Sequence, residues 1–352
     1  MKPIQGILHL QYFYDVGTEI DLDLLKLPPP SLASPIQFES PPLEESLPPL
    51  TLASGDSVTA HLRYFSYGVV CLEFHLPFAG PWEALVALAA QWVGSDTADS
   101  TADHTLQSRL AHLAPAIKKP AEKLLREDYT IIELHQALDS QGLPLSAADL
   151  LALHGPAIVQ IVRGERLPLS PTEQAEVLAS SMSYMPGDLL VVGYAAALVY
   201  DQQPNGALSV LQLLAYANTQ LLEYRFYDEL LAPVLADVSH RLTARNRFWN
   251  HWRGGREAAK LSAVQLEVME LTEKTDNAIK FLSDMFYSRA YKLASTRIGV
   301  PDYRRLVEAK LRVAGELYQF MTDRSHQTSA FVLELIVVII LIIDLTVLFT
   351  RR

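Results

Sequence analysis

The sequence predicts an α+β protein: an N-terminal mixed α/β domain, then long antiparallel coiled-coil helices, then one C-terminal transmembrane helix. Three observations carry this expectation. Strand-like and helix-like runs interleave up to about residue 202 without a regular βαβ rhythm or a glycine-rich phosphate loop. From residue 207 the apolar residues recur at alternating steps of four and three. Near the end, Phe331–Phe349 reads FVLELIVVIILIIDLTVLF, interrupted only by Glu334, Asp344 and Thr346.

Taken in order, residues 1–27 hold a β-branched and aromatic run, Ile4–Tyr14, suited to a strand. Residues 28–50 contain eight prolines and read as an extended linker, because proline fixes φ and removes a donor. Residues 51–202 are expected to form the α+β domain. Within it Val58–Phe65 and Val69–Leu76 make a hairpin through Ser66-Tyr67-Gly68. Pro81–Val93 is helical, and GSDTADSTAD (94–103) is a polar loop. Thr105–Arg126 reads as a helix broken at Pro115 and Pro120, and Tyr129–Leu134 as a strand. Gly155-Pro156, Arg163-Gly164 and Gly187-Asp188 read as turns. Ser170, Pro171 and Glu173 form a capping box at a helix start, and Leu189–Val192 pairs with Ala195–Tyr200.

Residues 203–328 form the expected stalk. Val210, Leu214, Ala217, Leu221, Tyr224, Asp228, Leu231, Leu235 and Val238 make one seam. Leu261 to Met285 and Val307 to Met321 continue the spacing in two further helices. Asn218, Arg225 and Asp228 lie in its densest polar stretch, where buried polar groups commonly set register and partner number. The tip Arg247–Arg256 mixes Trp249 and Trp252 with arginines, which suits either a membrane interface or an ordinary turn with packed tryptophans.

Residues 329–352 are the expected anchor. Nineteen residues at 1.5 Å each span about 28 Å, close to a hydrocarbon core of about 30 Å. With no secretory signal at the start, the chain reads as tail-anchored, with its bulk cytoplasmic. Asp344 lies deep enough to cost about 2.5–3.5 kcal/mol if unpaired at the bilayer centre. Glu334 and Asp344 therefore either join a helix–helix contact or reach the two headgroup layers.

Net charge is −11 in 352 residues, which argues against direct nucleic-acid binding, but it is uneven. Residues 1–240 carry a net −17, and residues 241–330 a net +6 beside the apolar run. The basic part suits either anionic lipid or a solvated helix face. Cys71, the single cysteine, excludes a disulfide framework and reads as a buried thiol. Ten histidines are scattered without HExxH or a cysteine-paired zinc pattern, so no catalytic, cofactor or metal residue is assigned.

Leu333-Glu334, followed after an all-apolar stretch by Ile343-Asp344, resembles the tail of the required-for-meiotic-nuclear-division family. The likeness extends over residues 60–352 and is strongest at the tail. It implies a prokaryotic-type member anchored in an inner membrane, in a family whose eukaryotic members act as anchored scaffolds linked to mitochondrial translation. The function expected is a non-catalytic, homo-oligomeric scaffold at the lipid bilayer that recruits a cytosolic protein partner. The alternative is a membrane-attached enzyme or small-ligand sensor with a pocket in residues 58–200.

Overall fold

The computed structural model describes residues 3–27, 40–203, 206–243, 266, 268–269, 285–316 and 319. The chain divides into two compact units, Met1–Phe226 with Glu273–Tyr303, and Tyr227–Thr272 with Arg304–Arg352.

The first unit is built on an eight-stranded sheet in the order β2-β3-β4-β1-β5-β8-β7-β6. β1 (Ile4–Ile20) sits at its middle, antiparallel to β4 (Val69–Gly80) and to β5 (Ile117–Gln136). It is buried on both faces, with Leu8, Leu10, Tyr12 and Tyr14 on one and the polar His9, Gln11 and Asp15 on the other. β2 (Leu43–Thr51) and β3 (Ser57–Tyr64) extend one side. On the other, β8 (Ala196–Asp201) pairs parallel to β5, then antiparallel to β7 (Asp188–Val192), which pairs with β6 (Ser181–Met182).

The strand expected near the N-terminus is therefore the centre of the sheet and no separate segment. The last part of the proline-rich stretch, Leu43–Thr51, is an edge strand, and its prolines Pro48 and Pro49 fall at an irregularity between Leu47 and Leu50. Edge strands tolerate missing donors there. The β3–β4 hairpin forms as expected. Gly68 at its turn has φ +92, and a Cβ there would stand 1.7 Å from the Gly17 carbonyl, so the turn can close on β1 only with glycine.

One face of the sheet packs under α1 (Trp82–Trp92), α2 (Asp99–Leu113), α3 (Ala147–Arg163) and α4 (Pro171–Leu178). Its core includes Leu8, Leu10, Tyr12, Tyr14, Leu72, Phe74, Ile132, Leu134 and Leu198 with Trp82, Leu85, Leu150 and Ile158. Three expectations fail here. The second half of the 94–103 stretch, from Asp99, is the start of α2 and not loop. Residues 117–126 belong to β5, because Pro115 ends the preceding helix in a short 3₁₀ turn and β1 offers a partner edge. Gly155-Pro156 is inside α3, not a turn; Ser146 caps that helix and Gly164 closes it in the left-handed conformation. The Ser170 cap is as read, its Oγ accepting from the Glu173 amide at 3.3 Å.

α5 (Gly206–Thr243) belongs to the first unit up to Phe226. A Cβ on Gly206 would meet Asp201 at the end of β8, the Thr219 hydroxyl lies 2.7 Å from Tyr67 Oη at the hairpin, and Arg225 pairs with Glu127 on β5. These three points lay α5 along the sheet's second face. Residues 213–224 of α5 are almost wholly buried, apart from half-buried Tyr216, so the helix is enclosed rather than striped. α6 (Met285–Ile298) lies beside it, with Tyr291 donating to Gln220 and Arg297 3.8 Å from Glu176.

The second unit holds the rest of α5 and most of α7 (residues 300–316). There Lys310 Nζ stands 2.6 Å from Asp228, and Leu231, Val307 and Ala314 are buried. The coarse expectation, a mixed α/β sheet domain followed by helices, stands. No helix among the described residues is long and apolar enough to cross a membrane. The hairpin tip with Trp249 and Trp252, and the tail with Glu334 and Asp344, lie outside the described residues.

Candidate functional site

The second face of the sheet should be apolar where a helix covers it, yet its middle is ionic. Strand alternation sends His9 and Gln11 of β1 to this face, with Glu73 and His75 of β4, His61 and Arg63 of β3, and Glu133 and His135 of β5. His9 and His75 are register partners, as are Gln11 and Glu73, so the ladder itself brings these side chains together.

The result is a chain of alternating imidazoles and carboxylates. His75 Nε2 lies 2.9 Å from Glu73 Oε1, which also contacts His9 Nδ1 at 2.6 Å. His9 Nε2 lies 2.8 Å from Glu133 Oε2, and Glu133 Oε1 is 3.2 Å from His135 Nε2. Glu73 Oε2 accepts from Arg63 and, at 3.3 Å, from Gln11 Nε2. His9, Gln11 and Glu73 are buried; His75 and His61 each expose 23% of their side chains. Both His9 nitrogens face carboxylate oxygens, so the ring is held between two acceptors. Gln11 Oε1 is buried and meets no donor among the described residues.

Electrostatics divide the histidines. Burial, with the nearby positive charges of His9 and Arg63, pushes His75 down to about 3, so it is neutral at pH 7. Burial and His75 lower His61 also. Burial would raise Glu133, but donation from His9 and His135 outweighs it and the carboxyl titrates below its usual value. Glu73 Oε1 and one nitrogen each of His9 and His75 lie within 4.8 Å of one another, a set that could hold a metal ion. Without an ion, the same string can store and pass a proton between the exposed rings of His75 and His135.

The residues singled out from the sequence fall elsewhere. Asn218 is buried on α5, its Nδ2 donating to Leu214 O at 2.9 Å. Arg225 ties Glu127 and lies 5.7 Å from the Tyr303 ring centroid. Asp228 holds Lys310 in the second unit. Arg225 thus braces a helix on the sheet, which is a packing role. Cys71, expected buried, is fully enclosed, and burial pushes its thiol up to about 12. The relay is hidden in the sequence because its members come from three strands. Its signal was present in Glu73-Phe74-His75 and Glu133-Leu134-His135, two Glu-x-His pairs at strand spacing within otherwise apolar runs.

Fold and site together define a mixed-sheet domain, helices on both faces, with a buried histidine–carboxylate relay at its centre. Residues 5–206 match the family described as "Uncharacterized protein MJ0711, N-terminal domain", and the chain belongs to that family. This overturns the resemblance to the required-for-meiotic-nuclear-division family, which rested on the acid spacing of the tail. Two acids ten residues apart in an apolar run are too short a pattern to identify a family. No curated protein and no solved structure matches the chain.

Proposed function

We propose that the chain is a membrane-tethered scaffold: a water-facing sheet domain that is held at the bilayer by residues 331–349, self-associates through its helices and recruits a cytosolic protein. The observation that carries this reading is the nineteen-residue apolar run, which has the length of a span and only two carboxylates. Arg289, Lys292 and Arg297 line one groove with Ser181 and Met182, a basic surface that suits anionic headgroups. The coiled-coil assignment for residues 203–328 and the inner-membrane location are parts of the same proposal.

Flotation with liposomes after alkaline carbonate extraction tests the tether. The full chain is expected to float, and a chain ending at Ser329 to stay in the soluble fraction. Recovery of the full chain in the supernatant would defeat the reading. Cross-linking in native membranes is expected to trap dimers or larger species.

A second reading, a membrane-attached ligand sensor, is favoured by the relay. Buried ion pairs contribute little net stability compared with apolar packing, so a fold that places five ionisable groups at its centre has another use for them. Native mass spectrometry is expected to show a non-covalent ligand on the wild-type chain that is lost in Glu73→Gln.

A further inference from the structure

We infer that His9, Glu73 and His75 form a binding site for a divalent transition-metal ion of the zinc class. The inference deepens the ligand-sensor reading and rests on it, while remaining independent of membrane attachment.

The donor set is two imidazole nitrogens and one carboxylate oxygen, which suits zinc, cobalt or iron(II) better than calcium or magnesium. His9 Nδ1 and His75 Nε2 already converge on the same oxygen, at 2.6 and 2.9 Å. Ligand atoms about 2.0–2.1 Å from a tetrahedral ion stand about 3.3 Å apart. Seating the ion therefore requires each nitrogen to part from that oxygen by about 0.4–0.7 Å, a side-chain rotation on a fixed ladder.

What surrounds the trio matches what a metal site needs. His9 presents its other nitrogen to Glu133, itself held by His135, the carboxylate–histidine pairing that orients a metal-bound ring. Arg63 occupies Glu73 Oε2 and leaves Oε1 for the ion, holding the carboxylate to one-point ligation. The ion takes the place of the proton between His9 Nδ1 and Glu73, and the two carboxylates then exceed the single arginine in charge, so a dication is not repelled. Gln11 Oε1, a buried acceptor beside Glu73 that meets no donor among the described residues, could take a hydrogen from a metal-bound water. On the outer side His61 lies next to His75, ring centroids 4.7 Å apart, and each ring exposes 23% of its side chain, so the site meets solvent there. Three protein ligands with one open position is the arrangement of a working site rather than a structural one.

The test uses the full chain in nanodiscs, stripped with chelator and titrated with Co²⁺. The expected result is one ion per chain, a visible ligand-field band and its loss on adding Zn²⁺. His75→Gln should abolish the band. Glu133→Gln, which touches no ion, should weaken binding by about 10–100-fold. Circular dichroism confirms that each variant is folded, and Glu133→Gln keeps the inference testable if His75→Gln is not. No band and no Zn²⁺-dependent rise in Tm in the wild-type chain would overturn it, as would undiminished binding in His75→Gln. A bound organic molecule in native mass spectra, with no metal, would overturn the metal assignment and leave the sensor reading intact. Absence of any ligand would remove both.

Discussion

Two carboxylates of β5, Glu127 and Glu133, sit six residues apart on the same face of the sheet, and each exposes 12% of its side chain. Burial acts on both in the same direction, yet they titrate oppositely. Glu127 is pushed up to about 7 by burial, which Arg225 on α5 offsets only in part while Asp128 adds to it. Glu133 falls below its usual value because His9 and His135 both donate to it. Enclosure alone therefore does not decide the charge of a buried acid; the number and fixity of its donors do. At the relay the donors are carried by the paired strands themselves. At Glu127 the donor arrives on a helix and is partly solvated.

The largest test of this comparison is to break the relay at its hub. Glu73→Leu strips the acceptor from Arg63 and from two histidines. It should destabilise the domain by about 3–5 kcal/mol, read from urea unfolding at pH 7. A loss under 1 kcal/mol would mean that the relay is not a connected unit.

The pH response should separate the two ends. A carboxyl raised in the folded state binds its proton more tightly there than in the unfolded chain. Stability from Glu127 and from Asp15, which burial raises to about 6, is thus present at low pH and lost as pH rises from about 4 to 7. At about 1.4 kcal/mol per unit, Glu127 accounts for about 3 kcal/mol of that fall. His75 acts in reverse: its depressed value means stability is present above about 6.5 and lost as pH falls toward 3. Glu127→Gln should remove the loss of stability as pH rises from about 4 to 7, and His75→Gln the loss as pH falls from about 6.5 to 3. Identical profiles for the two variants would contradict the distinction. The smallest effect belongs to a site remote from the relay. Ser170→Ala removes the cap of α4 and should cost about 1 kcal/mol without altering either limb of the profile.

Much of the sheet domain was legible locally. The hairpin through Gly68, the Ser170 cap and the β7–β8 pairing depend on neighbours within a few residues, so short-range chemistry announces them. Residues 117–126 were not legible, since lysines and a proline read as neither strand nor core until β1 supplies a partner. The helix through Gly155-Pro156 was hidden because those residues are ordinary turn formers when isolated. The relay was least visible, as no two of its three central groups, His9, Glu73 and Glu133, are closer than sixty residues in the chain.

By itself the sequence determined the alternation that sends every second side chain to one face, the caps and turns, and the apolar run of residues 331–349. Only the tertiary structure decided that β1 is central and that its histidine faces two glutamates. The reason is that register is a long-range property: strand period sets which face a residue takes, but pairing alone sets whom it meets there.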